Sequence, residues 1–219
     1  ENHDPNDRLT DFPGLNHLYL RFDWGDIEKE EGKPDWSYID QIMDEWGKYD
    51  YRFSLRICTY EGDGRAPFAT PEFVYKAGAR GYELSKGRLE PDYGDPVFLK
   101  KLSAFMAKAG EKFNRDPRIE LIDVGTFGTW GEGHTAAGSM KYYPLEVMKK
   151  HIDLHADNFP DKPVLLNDDH INARWGVGEA DNLALLDYAA ERKLGLDDDS
   201  VCVRCYSGKR AYNTLRTPW

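Results

Sequence analysis

The sequence predicts an α/β fold with a parallel sheet, because two hydrophobic periodicities alternate along it. Residues 15–23 (LNHLYLRFD) read as a strand, and residues 36–48 (WSYIDQIMDEWGK) follow with apolar side chains at helical spacing. The same alternation continues to about residue 206, with no linker, repeat or low-complexity tract between the units. Repeated strand–helix units in one chain favour a parallel sheet covered by helices, so we expect one domain over residues 1–219.

Five strands and their helices follow from this pattern. The predicted strands are residues 15–23, 51–60, 119–124, 163–167 and 200–206. The predicted helices are residues 36–48, a short helix entered through Thr70-Pro71, a helix opened by Asp95-Pro96 that runs to about 113, residues 144–159, and residues 179–193.

Two architectures fit five such strands. A (β/α)8 TIM barrel needs eight strands and typically about 250 residues. The 219 residues would then hold only about strands two to six. A five-stranded doubly wound parallel sheet fits the length and is the alternative, although no glycine-rich phosphate loop follows the first strand.

Charge and composition restrict the partners. The formal net charge is −10, which argues against nucleic acid or an anionic membrane surface, because both need a basic footprint. A neutral ligand such as a sugar is compatible with this charge. The longest apolar runs are of strand length, and residues 1–5 do not open a signal peptide. The chain is therefore expected to be either cytosolic or the mature form of an exported protein.

Polar and aromatic side chains follow every predicted strand. In parallel α/β folds the chemistry gathers at the carboxyl ends of the strands. Sugars are held by aromatic faces and by carboxylate, amide and arginine groups, which is the composition found here. In strand order the groups are Arg21, Asp23, Trp24 and Asp26; Arg56, Tyr60 and Glu61; Trp130, Glu132 and His134; Asn167, Asp168, Asp169 and His170; and Tyr206, Lys209 and Arg210.

Several of these stretches resemble the barrels of clan A glycoside hydrolases, in particular beta-galactosidase-like proteins. Residues 18–24 (LYLRFDW), continued by residues 26–36, are similar to the second strand of that clan and the helix after it. Residues 69–73 (ATPEF) resemble the turn after its third strand, and residues 91–96 (PDYGDP) its next helix entry. Residues 123–134 (DVGTFGTWGEGH) resemble the end of its fourth strand, so the similarity covers about residues 15–135.

The resemblance implies roles for individual residues. Glu132 would be the general acid/base, since the clan carries this glutamate at the end of strand four. Many clan members have Asn before that glutamate, and Gly131 stands here, which puts the usual contact with the substrate 2-hydroxyl in doubt. Arg21 would hold the nucleophile ionised or form a structural ion pair, and Tyr206 would donate to the nucleophile. The nucleophile itself, at the end of strand seven, would lie outside these residues.

The sequence-based hypothesis is therefore a retaining O-glycoside hydrolase acting on a beta-linked oligo- or polysaccharide, with galactosides as one candidate. A non-catalytic carbohydrate-binding barrel is the alternative. The expected substrate contacts are Arg21, Trp24, Arg56, Trp130, His134, Asn167, Asp168 and Tyr206. No cofactor and no metal is expected, because residues 168–170 (DDH) diverge at a strand end and no HxH or HExxH pattern occurs. We expect a secreted or periplasmic location, with a cytoplasmic one as the alternative. The rest of the barrel is expected from further sequence or another polypeptide.

Overall fold

The structure is a computed structural model that describes residues 14–62, 68–85, 87–172, 175–178 and 181–197. In chain order the strands are β1 (His17–Asp23), β2 (Arg52–Cys58), β3 (Gly81–Ser85), β4 (Arg88–Pro91), β5 (Ile119–Asp123), β6 (Tyr142–Tyr143), β7 (Val164–Asn167), β8 (Gly176–Val177) and β9 (Gly195–Asp197). The helices are α1 (Trp24–Ile27), α2 (Ser37–Gly47), α3 (Glu72–Lys76), α4 (Pro96–Phe113), α5 (Leu145–Asn158), α6 (Asp169–Asn172) and α7 (Asn182–Glu191). Among the described residues, no helix is both long and apolar enough to cross a membrane.

The main sheet contains five parallel strands in the order β1-β2-β5-β7-β9. Each strand therefore pairs with the next main-sheet strand along the chain, as in a barrel. A doubly wound sheet would instead place later strands on both sides of the first one. The partial TIM-barrel prediction is confirmed, and the five-stranded doubly wound alternative is wrong. Within the described residues the sheet does not close, because β1 and β9 each pair on one side only.

The two faces of the sheet differ in polarity. One face carries apolar side chains such as Leu20, Leu55 and Ile122, which are buried against the helices. The helices form a layer there, since α4 contacts α5 and α5 contacts α7. The opposite face, which would line a barrel, carries Tyr19 and Arg56 instead. Burial of one apolar face places the core between the sheet and the helices and leaves the polar groups on the inner face.

Trp24 belongs to this core, which corrects its predicted role in substrate binding. Its side chain is fully buried, and the ring stacks on Phe105 with centroids 5.3 Å apart. Its indole nitrogen donates to Glu28 Oε2 at 2.7 Å. Trp24 comes directly after Asp23, the last residue of β1, and the turn into α1 directs the ring toward the helices. A sugar cannot reach this ring, so the prediction for Trp24 is wrong.

The predicted helices and the first four predicted strands are recovered with small changes at their ends. Asp95 caps α4 by accepting from the backbone of Val97 and Phe98, as the Asp-Pro pattern predicts. Thr70 does not cap α3, because its hydroxyl donates to the carbonyl of Thr59. The fifth strand is β9, upstream of the predicted strand at residues 200–206, which lies outside the described residues. The hairpin of β3 and β4 and the short ribbon of β6 and β8 were not predicted.

Two histidines of α5 are buried as neutral groups behind the sheet. His151 donates from Nε2 to the carbonyl of Tyr93 at 3.1 Å, and its Nδ1 accepts from the Thr126 hydroxyl at 2.9 Å. His155 donates from Nδ1 to the carbonyl of His151 at 2.8 Å. Burial lowers the pKa of His151 to about 3 and that of His155 to about 4. The contact with Thr126 ties α5 to the segment that follows β5.

These histidines make stability depend on pH. Between about pH 4 and pH 6.5 the unfolded chain protonates both rings while the folded protein keeps them neutral, so acidification favours unfolding. We expect the free energy of unfolding to fall by about 1.4 kcal/mol per pH unit for each histidine in this window. Urea denaturation at several pH values should show a shallower slope for His151→Gln and for His155→Gln. A slope unchanged in both variants would contradict this account.

Candidate active site

A row of charged side chains crosses the inner face of the sheet. The strand register pairs Arg21 with Arg56 across β1 and β2, and Arg56 with Asp123 across β2 and β5. Paired residues of neighbouring parallel strands point to the same face, so the three side chains form one lateral row. They lie near the carboxyl ends of their strands, where the sequence predicts the site.

Arg56 is the centre of this row. Its guanidinium is buried and lies 2.5 Å (Nη2) and 2.8 Å (Nε) from Asp123 Oδ2. Its Nη1 donates to the carbonyl of Trp130 at 3.3 Å and lies 3.7 Å from Glu132 Oε1. Its Nη2 lies 3.7 Å from Asp197 Oδ2 at the end of β9. One cation therefore joins three carboxylates from different parts of the sheet.

The protonation of this cluster follows from its burial. Burial alone would lower the pKa of Arg56, but the adjacent Asp123 raises it above its ordinary value, so the guanidinium stays charged. Burial raises the pKa of Asp123 against the opposing effect of Arg56. The Tyr19 hydroxyl donates to Asp123 Oδ2 at 2.5 Å, and burial together with that carboxylate raises the pKa of Tyr19. The Tyr19 hydroxyl is therefore a hydrogen-bond donor and not a base.

Arg21 forms an ion pair with Glu61. Its Nη2 lies 3.2 Å from Glu61 Oε2, and the Glu61 side chain is buried just after β2. Two roles were predicted for Arg21. Glu61 is the partner for the structural ion pair, and the contact with a nucleophile stays a prediction. Glu61 thereby also belongs to the inner-face cluster.

Glu132 lies in the loop after β5, several residues beyond the end of that strand. β5 ends at Asp123, and a 3-10 turn at Thr129–Gly131 precedes Glu132. The backbone of Trp130 has φ +57°, and its N–H donates to the carbonyl of Tyr60 at 2.9 Å. This bond fixes the loop to the segment after β2. It leaves the Glu132 side chain 17% exposed, beside Arg56.

The backbone conformation at position 131 explains why Gly131, and not the asparagine common in clan A, precedes Glu132. Its φ is +74°, and a Cβ at this position would lie 2.5 Å from the carbonyl oxygen of Gly125. Any side chain would therefore collide with the backbone at the end of β5. The loop reaches Glu132 by a path that excludes an asparagine at this position.

Glu132, His134 and Asp169 form a compact group. One potential ligand atom from each lies within 4.8 Å of the other two. His134 Nε2 is 3.5 Å from Glu132 Oε2 and 3.8 Å from Asp169 Oδ2. His134 Nδ1 accepts from the backbone N–H of Ala136 at 3.2 Å, so a neutral ring carries its proton on Nε2. Nε2 then donates toward the two carboxylates and offers no lone pair to a metal ion, which favours a hydrogen-bonding role for this group.

Several buried polar atoms at this end of the sheet have no hydrogen-bond partner among the described residues. Buried polar groups are normally paired, so a concentration of unpaired ones indicates a site for a polar ligand. His170 illustrates this: its Nδ1 donates to the carbonyl of Asn167 at 3.0 Å, which leaves Nε2 as an acceptor, and burial lowers its pKa to about 3. The unpaired atoms are Glu61 Oε1, Asp123 Oδ1, Thr129 Oγ1, Asn167 Nδ2 and His170 Nε2.

Most of the predicted site residues gather here. Glu132, Trp130, His134, Arg56 and Asn167 lie around the cluster, and the Trp130 ring contacts the His134 ring edge-on with centroids 5.9 Å apart.

Asp169 is the carboxylate that lies near both Glu132 and His134. Asp168, an expected substrate contact, is fully buried, and its backbone N–H donates to the carbonyl of Asp197 at 2.8 Å. The substrate contact of Asp168 stays a prediction. Tyr206 lies outside the described residues.

Five members of the cluster were not among the expected site residues, namely Tyr19, Glu61, Asp123, Asp169 and Asp197. The period-2 pattern of Tyr19, Arg21 and Asp23 in β1 could have identified the inner face. The contact of Asp123 with Arg56 depends on strand register, which the sequence does not show.

The sequence matches no protein-family profile, and no curated protein resembles it significantly. Solved structures share its fold at low identity. The catalytic domain of beta-amylase from Paenibacillus polymyxa aligns with a TM-score of 0.59 and 10% identity, over 84% of this chain and 69% of that one. A beta-galactosidase from the Antarctic haloarchaeon Halorubrum lacusprofundi gives 0.53 and 14%, over 78% and 34%. Endo-glycoceramidase II from Rhodococcus sp. gives 0.50 and 13%, over 92% and 62%.

These similarities define the fold as a segment of the barrels found in glycoside hydrolases, in agreement with the resemblance seen in the sequence. The chain spans about a third of the length of the beta-galactosidase and 62% of the glycoceramidase. At these identities the comparison concerns the fold alone.

The loop path predicts a specific effect of Gly131→Asn. The new side chain must displace the Gly125 carbonyl, so we expect a loss of about 1–3 kcal/mol in the free energy of unfolding. Urea denaturation measures this loss. Gly178→Asn is the matched control, since a Cβ there meets nothing within 4 Å, and it should change stability by less than about 0.5 kcal/mol. Equal stability of the two variants would contradict the described path of the loop.

Proposed function

We propose that the protein is a retaining O-glycoside hydrolase acting on a beta-linked oligo- or polysaccharide, with Glu132 as general acid/base. The observation that carries the proposal is the position of Glu132. Its partly exposed carboxylate lies at the carboxyl end of a parallel barrel segment, between the Arg56 guanidinium and His134 Nε2. Catalysis in barrels takes place at this end of the strands.

The chemistry assigned to Glu132 has two steps. In the first, protonated Glu132 gives its proton to the glycosidic oxygen while a carboxylate nucleophile bonds to the anomeric carbon and the C–O bond breaks. In the second, the Glu132 carboxylate takes a proton from water, whose oxygen bonds to the anomeric carbon and releases the nucleophile. The sum is hydrolysis with retained configuration, and Glu132 returns to its starting protonation state.

The nucleophile is the part of the proposal that reaches beyond the described residues. Retaining enzymes need a second carboxyl group about 5–5.5 Å from the acid/base. The resemblance assigns it to strand seven, supplied by further sequence or by another polypeptide. Among the described residues, Asp169 has a carboxylate oxygen within 4.8 Å of a carboxylate oxygen of Glu132. We assign Asp169 a positioning role, because it shares His134 with Glu132.

The substrate class rests on the polar inner face. Arginine, carboxylate and amide groups such as Arg56, Asp123 and Asn167 suit the hydroxyl groups of a sugar. The neighbours include a beta-galactosidase and a glycoceramidase, which supports beta-linked sugars, with galactosides as one candidate. A polysaccharide substrate would place the protein outside the cell or in the periplasm. A non-catalytic carbohydrate-binding barrel is the second candidate, favoured if sugars bind without being cleaved.

Glu132→Gln tests the acid/base role in the full-length protein. An amide cannot deliver a proton, so kcat/KM for an unactivated oligosaccharide should fall by about 10²–10⁴-fold. Cleavage of a 2,4-dinitrophenyl glycoside, whose leaving group needs little protonation, should lose much less in the first step. Glu111→Gln, an exposed position on α4, is the matched control and should leave both rates unchanged. Full activity of Glu132→Gln on the oligosaccharide would remove Glu132 from the mechanism.

Asp169→Asn separates the two possible roles of the neighbouring carboxylate. If Asp169 positions Glu132 through His134, hydrolysis of the 2,4-dinitrophenyl glycoside should persist. The pH profile of kcat/KM for oligosaccharides should move to lower pH, because a like charge near the acid is gone. Steady-state rates across the pH range measure both effects. Loss of glycosyl-enzyme formation with every substrate would instead identify Asp169 as the nucleophile.

A further inference from the structure

A second group of aromatic side chains lies beside the loop that carries Glu132. β6 and β8 form a two-stranded ribbon, in which Tyr142 pairs with Gly176 and Tyr143 with Val177. The rings of Tyr142 and Trp175 are in contact, with centroids 4.9 Å apart and planes inclined at 45°. Tyr142 is 54% exposed, although it is a large aromatic residue. We call Tyr142 and Trp175 the ribbon platform.

The ribbon packs directly against the loop that carries Glu132. The backbone of Gly176 packs so closely on that of Gly133 that a Cβ would lie 2.3 Å from the Gly133 carbonyl oxygen. Gly176 N–H also donates to the carbonyl of Lys141 at 3.0 Å, and the Thr135 hydroxyl donates to the same carbonyl at 2.8 Å. Gly133 directly follows Glu132. The platform is therefore held at a fixed position relative to the proposed acid/base.

Alternation along β6 explains which aromatic ring remains outside. Tyr143 points inward, where its ring contacts Tyr93 at 5.5 Å and Phe127 at 5.3 Å between centroids. The neighbouring Tyr142 must then point outward, where it meets Trp175. Lys141 precedes Tyr142 and lies on the other side, where its Nζ is 4.2 Å from the centroid of the Tyr82 ring on β3. The platform thus presents the two aromatic rings of Tyr142 and Trp175.

The backbone of the platform is strained. Trp175 has φ +71° and Met140 has φ +52°, both in the left-handed region that large side chains avoid. Among the described residues only five non-glycine positions have positive φ, and Trp130, Met140 and Trp175 are three of them. Such strain concentrates at functional sites, where it directs a side chain to a required position.

We propose that the ribbon platform is a carbohydrate subsite that binds a pyranose ring on the leaving-group side of the scissile bond. This inference rests on the proposed function. Aromatic faces stack on the C–H faces of pyranoses, which suits the paired rings of Tyr142 and Trp175. The acid/base contacts the glycosidic oxygen, so a surface joined to its loop meets the sugar beyond that oxygen. The substrate is accordingly an oligo- or polysaccharide that extends past the cleaved bond.

Binding measurements in the Glu132→Gln background test the platform without turnover. Isothermal titration would use cellohexaose, mannohexaose and β-1,4-galactohexaose, and the corresponding monosaccharides. For the hexasaccharide that binds, Tyr142→Ala and Trp175→Ala should each raise Kd by about three- to tenfold. Tyr38→Ala, which removes a tyrosine 63% exposed on α2, is the matched control and should leave Kd unchanged. Monosaccharide affinity should be unchanged in all three variants, because a single ring does not extend past the cleaved bond.

The remaining outcomes are distinguishable from failure of the proposed function. Trp175→Phe and Tyr142→Phe keep a stacking ring and should retain most of the affinity, even if Trp175→Ala fails to fold. Unchanged hexasaccharide affinity in Tyr142→Ala, or no binding of any hexasaccharide to the parent, would overturn the platform. Weakened binding in the variants of a protein that cleaves none of these sugars would leave the subsite standing and favour the non-catalytic barrel.

Discussion

The ion pair between Arg56 and Asp123 is the interaction on which the rest of the inner face depends. Both side chains are buried, and the closest atoms are 2.5 Å apart. A buried guanidinium is tolerated only when carboxylates and carbonyls surround it, and removing one partner of such a pair typically costs about 3–5 kcal/mol. Around this cation gather the Tyr19 ring from β1, the Trp130 carbonyl from the loop, and Asp197 from β9. The pair therefore links strands that are distant in sequence.

The Arg56 guanidinium both stabilises the buried sheet face and contacts the proposed acid/base. Glu132 lies 3.7 Å from Arg56, so the loop that carries the proposed acid/base is positioned by the group that neutralises Asp123. The loop reaches this point through left-handed backbone at Trp130 and Gly131, which shape its path. Preorganised polar groups of this kind are what an active site requires, because they need not rearrange during the reaction.

Much of the fold could be predicted from local patterns. The Asp95-Pro96 cap, the helical spacing of α2 and the apolar runs of β2 and β5 each depend on neighbouring residues only. The errors arose where distant residues decide. Trp24 follows a strand like a site residue, yet the turn into α1 places its ring on Phe105, which is 81 positions further along the chain. The position of Asp169 beside His134 likewise depends on how α6 leaves β7.

The sequence by itself determined the alternation of strands and helices and the polar character of the strand ends, because these follow from hydrophobic periodicity and residue chemistry. The candidate Glu132 came from the resemblance of residues 123–134 to clan A barrels. The sequence could not decide between a barrel and a doubly wound sheet, since both consist of the same units. The tertiary structure decided this through the strand order β1-β2-β5-β7-β9. Tertiary structure also assembled the cluster of Tyr19, Arg56, Asp123 and Asp197 and the ribbon platform. Hydrogen-bond register between strands brings these residues together, and no local sequence pattern encodes that register.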